Sequence, residues 1–142
     1  MHLTRPAFLR LTAIGVVLLL AATGCSGEEN RVIERTNAAR ASAGRWPVEA
    51  NLTLWFLAGA QSIRMADEGR LSHSNLGPGN DYPWRALAEN VGKGASPDQV
   101  FDTWMGSTGH RGNILNPNFN YIGVGVVNRN GTYWITQQFM WL

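Results

Sequence analysis

A single cysteine, Cys25, means that no disulfide can form within this chain. Small secreted domains often rely on disulfides because their cores are thin, so this one must hold by packing alone. An excess of either charge is also missing. Lys and Arg number 12 against 10 Asp and Glu, and Arg5 and Arg10 near the N-terminus account for the difference. The rest carries no basic stripe and no nucleic-acid motif, which excludes nucleic acid as an expected partner. No internal repeat, low-complexity tract or second hydrophobic cluster divides the sequence, so one domain is expected.

Long apolar runs are absent except from Leu11 to Ala22. Preceded by Arg5 and Arg10, this run has the length of a secretory core and is too short to span a bilayer comfortably. It ends in Ala22-Thr23-Gly24-Cys25-Ser26, which resembles a bacterial lipobox. Residues 1–24 are therefore expected to be a signal peptide. Cys25 would be the diacylated new N-terminus, and residues 25–30 a lipidated cysteine with a polar tether. Ordinary cleavage after Gly24 is the alternative. Without residues 1–24, the 142-residue chain keeps 118 residues, enough for one domain with a real core.

What is present has clear local patterning. Arg31–Ala43 reads as a helix stopped by Gly44, and Trp46-Pro47 opens a connector ending at Asn51, a plausible N-cap. From Leu52 to Glu68 the spacing predicts a helix ended by Gly69. Leu52, Trp55, Phe56, Gly59, Ile63 and Ala66 form one apolar stripe, expected to face the core. Pro97–Met105 reads as a third helix with Ser96 as N-cap. Ala88–Gly92 is compatible with a brief strand. Tyr121–Val127 and Thr132–Phe139 are β-branched and aromatic and read as a hairpin turning through Asn128–Gly131. Gly123 and Gly125 project to one face, where a helix or ligand can approach the backbone closely. Helices flanking a small antiparallel sheet give an α+β layered domain.

Chemistry concentrates between Trp104 and Pro117. Ser107 and Thr108 can cap a short helix, and Gly106 and Gly109 allow tight turning. His110 then lies in the first helical turn, where the dipole disfavours its protonation. Ser107 lacks the strand-to-helix setting of a nucleophile elbow, so capping is its expected role. His73 lies where the chain leaves a helix, and Glu89 lies among apolar neighbours where a carboxylate needs a partner. Asn90 and Asn113 are expected to lock turns. Arg111 could pair with an acid, bind an anion or simply face solvent. Trp104, Trp134 and Tyr121 are core or cleft-wall aromatics.

Taken together, Leu71-Ser72-His73-Ser74, Ala88-Glu89-Asn90-Val91-Gly92, Trp104 followed by Gly109-His110-Arg111-Gly112-Asn113-Ile114-Leu115, and Gly123-Val124-Gly125 resemble the CAP superfamily. That superfamily holds the cysteine-rich secretory, antigen 5 and pathogenesis-related 1 proteins, and the likeness is to its bacterial, SCP-like branch. It runs from about Arg31 to the C-terminus. The resemblance implies a three-layer α-β-α sandwich with a small central antiparallel sheet and a cleft. In animal and plant members two histidines and two glutamates meet in that cleft and can bind zinc. His73, Glu89 and His110 match three of these, and the fourth position holds Ser107.

His73, Glu89 and His110 are too far apart in sequence to meet on one helix, so only tertiary folding could join them. Two imidazoles and a carboxylate could ligate zinc with water in the fourth position. They could instead hold a water for general-base catalysis, or form a hydrogen-bonded cluster that fixes the cleft. The expected function is an exported, envelope-anchored binding module for a lipid, glycan, peptide or partner protein, monomeric and held to the membrane through Cys25. The alternatives are a peptidase-like hydrolase, with or without zinc, in which His73, Glu89 and His110 activate water, and a purely structural envelope spacer.

Overall fold

The structure, a computed structural model, describes residues 26–76 and 83–142. The expected signal peptide and Cys25 lie outside the described residues. Among the described residues no helix is long and apolar enough to cross a membrane.

Four helices and four strands follow one another as α1 (Gly27–Ser42), β1 (Glu49–Ala50), α2 (Leu52–Glu68), β2 (Ala86–Gly94), α3 (Pro97–Met105), α4 (Thr108–Leu115), β3 (Tyr121–Arg129) and β4 (Thr132–Trp141). The sheet order is β1-β3-β4-β2. β3 pairs antiparallel with β4, and β4 with β2, whereas β1 runs parallel to β3. The sheet is therefore mixed rather than wholly antiparallel, through one two-residue edge strand too short to leave a pattern. The β3–β4 turn is Asn130-Gly131, with φ of 54° and 83°. Both residues thus adopt the left-handed backbone that a two-residue hairpin of matching twist needs.

α1 begins earlier than its hydropathy suggests. The Ser26 hydroxyl accepts from the Glu29 N–H at 3.2 Å, and the Glu29 carboxylate accepts from the Ser26 N–H at 2.7 Å. This reciprocal box satisfies two of the free donors at the helix start. Residues 27–30 are consequently the first turn of a helix, not a tether.

α2 has the expected limits, because Asn51 accepts from the Leu54 N–H at its start and Gly69, at φ 68°, reverses the chain at its end. Its orientation differs from expectation. Leu54, Ala58, Gln61, Ser62 and Met65 are buried, while Leu52, Phe56 and Ile63 of the apolar stripe face outward. The reason lies in β3: a Cβ at Gly123 would collide with the Leu54 backbone, and one at Gly125 with the Ala58 backbone. The helix rests backbone against backbone on the sheet. Such contact requires the side with Ala58 and Ser62, whose hydroxyl donates to the Gly125 carbonyl and contacts the Thr136 hydroxyl, both at 2.9 Å.

The other helices cover the opposite face, where Ile122, Val124, Ile135 and Phe139 pack against Val32, Phe101, Trp104 and Ile114. Arg40 ties this layer together. Fully buried, its guanidinium donates to the carbonyls of Trp46 (2.7 Å), Ile114 (2.8 Å), Asn116 (2.8 Å) and Phe119 (3.0 Å). Burial, helped by the nearby Arg45 charge, lowers its pKa from the ordinary arginine value. Satisfying carbonyls at and beyond the end of α4 compensates its desolvation. The result is the α-β-α sandwich.

Candidate functional site

The site forms at β2, an edge strand reached from both layers. Alternation along β2 sends Glu89 to the α2 face and Asn90 to the other. Their cross-strand partners on β4 are Gln138 and Gln137 respectively.

On the α2 face, the Glu89 carboxylate is buried and fully engaged. One oxygen lies 2.8 Å from His73 Nδ1 and accepts from the Ser74 N–H at 2.8 Å. The other accepts from the Gln138 amide at 2.9 Å and from the Ser74 hydroxyl. The His73 ring itself is largely exposed, with 61% of its side-chain surface open. Its backbone is held from α2, where Arg64 donates to the His73 carbonyl at 3.0 Å and Gln61 to the Ser72 carbonyl at 2.5 Å.

On the other face a buried chain of amides positions His110. The Gln137 amide donates to the Thr36 hydroxyl at 2.7 Å, which in turn donates to the Val32 carbonyl at 2.8 Å. The Asn90 amide donates to the Gln137 side-chain oxygen at 3.0 Å and to the His110 carbonyl at 3.1 Å, while the Asn113 amide donates to Asn90 Oδ1 at 2.9 Å. Asn90 is therefore a buried mid-strand residue and Asn113 a helical one, rather than locks on turns. Both bind α4 to β2.

His110 is half-buried, and its Nδ1 is buried without a hydrogen-bond partner among the described residues. Its pKa is lowered, first by burial and then by the charge of His73. The imidazole is consequently neutral near pH 7.

The structure thus brings His73 and Glu89 into contact and places His110 within electrostatic reach of His73. Ser107 occupies the N-cap position of α4, but its side chain makes no capping bond, and Gly106 at φ −78° has an ordinary helical backbone. Arg111 donates to the Met105 carbonyl at 2.9 Å, closing the end of α3 instead of pairing with an acid. Trp104 and Trp134 are buried and Tyr121 half-buried. Trp104 donates to the Val91 carbonyl at 3.0 Å beneath Gly92, and Lys93 lies 4.9 Å from the Trp134 ring centre.

For zinc, the donor set fits poorly. Among the described residues no group of three or more His, Cys, Asp or Glu side chains is arranged to hold a metal. Glu89 has both oxygens committed to protein donors, and the place of a further acid is taken by Ser107.

Known proteins share this architecture. The cysteine-rich secretory protein family (CAP) matches residues 33–139. The chain belongs to this family. The chain is 39% identical over 129 residues to the protein YkwD of Bacillus subtilis strain 168, covering 84% of this chain and 49% of that protein. It therefore spans about half the length of that curated relative. Among solved structures it resembles an extracellular SCP-domain protein from Bacillus anthracis, with a TM-score of 0.71, 23% identity, and coverage of 82% of this chain and 41% of the other. An outer surface protein from Borrelia burgdorferi gives a TM-score of 0.70 at 16% identity, covering 78% of this chain and 90% of the other. These likenesses support the fold.

Ser74, Gln137, Gln138, Thr36 and Arg40 complete the CAP site or its frame without having been singled out from the sequence. A signal for the glutamines was present. Thr136-Gln137-Gln138 interrupts an apolar strand between Ile135 and Phe139, and polar groups buried there need partners.

Proposed function

We propose that this CAP domain is exported, is held at the cell envelope by a lipid on Cys25, and binds a lipid, glycan or peptide at the cleft bordered by His73, Glu89 and His110. The observation that carries the reading is the engagement of Glu89. A carboxylate that accepts from Ser74 and Gln138 and contacts His73 is a fixed wall, with no free oxygen to accept a proton from water. The exposed His73 and the neutral His110 are then hydrogen-bonding groups for a ligand. Export is supported by the leader-like residues 1–24 and by the extracellular and outer-surface names of two structural neighbours.

A hydrolase remains the second reading, because a neutral His110 is a competent proton acceptor. Titrating cell-wall fragments, phospholipids and peptides into wild type, His73→Ala and His110→Ala, with turnover followed in the same samples, separates the two. The binding reading expects saturable association without product, weakened about tenfold by either substitution, the ~1.4 kcal/mol of one lost hydrogen bond. Product formed by wild type and lost in His110→Ala would establish the hydrolase instead.

A further inference from the structure

The outward side of α2 is apolar where solvent-facing helices are usually polar. Leu52, Phe56 and Ile63 are 59%, 62% and 51% exposed and align along one stripe. Beside them runs a groove of about 400 Å³ between α2 and Val126 and Val127 of β3, with Trp55 and Glu29 in its wall. Exposed apolar residues scattered singly need no explanation, but a stripe with an apolar groove alongside marks an interaction surface. It is separate from the His73 site, since Gln61, which holds that loop, leaves α2 more than about a third of a turn away from Phe56.

Two observations identify the occupant. The chain enters the domain at this groove: the Ser26 N–H donates to the Glu29 oxygen that also accepts from the Trp55 indole at 3.0 Å. Cys25 is the residue before, preceded by the apolar run Leu11–Ala22. In addition, α1 starts at Gly27, so Ser26 alone separates Cys25 from rigid structure. One residue spans about 3.8 Å, which leaves no slack to hold the domain clear of a membrane to which Cys25 is attached. The face beside the start of α1 must then meet the headgroups, and that face carries the apolar stripe and groove.

We propose that the outer face of α2 lies on the bilayer surface, with Leu52, Phe56 and Ile63 inserted among the lipids and the groove filled by acyl chain. This rests on the reading of Cys25 as a lipid anchor. The diacylated cysteine supplies the stable anchor, and the apolar patch adds buried area that fixes the domain's orientation.

The test uses the full chain, purified from membranes and placed in vesicles of phosphatidylethanolamine and phosphatidylglycerol that carry a photoactivatable phospholipid. Mass spectrometry reads both the mass on Cys25 and the position of the label. Docking expects label on the segment 52–63 several-fold above that on α3. A Phe56→Asp/Ile63→Asp variant, with unchanged circular dichroism and a diacylated Cys25, should lose it. Label spread evenly, label unaffected by the double substitution, or chains cross-linked to each other through α2 would overturn the proposal. A lipidated Cys25 with unlabelled α2 defeats docking and leaves the anchor. Labelled α2 without lipid on Cys25 defeats the anchor reading and leaves docking.

Discussion

The two faces of the sheet are held by different means. On one, three helices of 16, 9 and 8 residues, each unable to cover the sheet alone, are linked by directional bonds: Arg40 to the end of α4, and the Thr36–Gln137–Asn90–Asn113 chain across α1, β4, β2 and α4. On the other, one 17-residue helix lies against Gly123 and Gly125 with its backbone in contact. Three helices that share one face need ties to fix their positions relative to one another, whereas a single helix on its face needs only a flat place to lie. The site draws on both. His73 is carried by the glycine-packed layer and His110 by the polar-tied layer, and the His73 charge contributes to lowering the His110 pKa.

The contrast is broken most severely at the glycines. Gly125→Val should displace α2 and cost more than about 3 kcal/mol, since overpacking against backbone has no side chain to yield. Denaturant unfolding would measure it, and a loss below about 1 kcal/mol would mean that α2 is not seated as described. On the other face, Arg40→Met leaves carbonyls of the α4 terminus and its following loop without donors and should cost about 3 kcal/mol. Arg40→Lys should recover only part, because one ammonium cannot reproduce the fork of the guanidinium. Smaller still, Asn90→Ala should cost about 2 kcal/mol and shift the amide resonances of α4 more than those of α2, as it frees the His110 carbonyl and the Asn113 amide.

These differences also explain which parts of the fold were legible in the sequence. The caps Asn51, Gly69 and Ser96 are local signals, so the bounds of α2 and α3 follow from them. The face that α2 buries does not. Hydropathy favours Leu52, Phe56 and Ile63, but the buried side includes Gln61 and Ser62, polar residues whose partners include Ser72, Gly125 and Thr136, outside the helix, besides Arg64 within it. For α1 the signal existed: Ser26-Gly27-Glu28-Glu29 has the spacing of a capping box. Its position after Cys25 suggested a tether instead. His73, Glu89 and His110 could be grouped only through family resemblance, because no local rule joins residues on a loop, a strand and a helix. Why Glu89 binds Ser74 and Gln138, and why His110 hangs from Asn90, depends on strand register and needed the fold.

Protonation of His110 offers a further check. The His110 pKa is lowered on folding, so below about 6.5 the unfolded chain takes up that proton before the folded one does. Its contribution to stability is complete above that pH and is lost as the pH falls towards the folded value. Denaturant midpoints measured downward from pH 7 should fall more gently for His110→Asn than for wild type.

The most direct test of the central claim, that the two layers bring His73 and His110 together at β2, is an NMR pH titration of both imidazoles in wild type and of His110 in His73→Ala. The expected result is that His110 titrates below 6.5 in wild type. In His73→Ala its midpoint should move upward yet stay below the ordinary value, since burial remains. A His110 midpoint at the ordinary value in both proteins, indifferent to His73, would show that the imidazole is not buried at β2 and that the two histidines do not share a site.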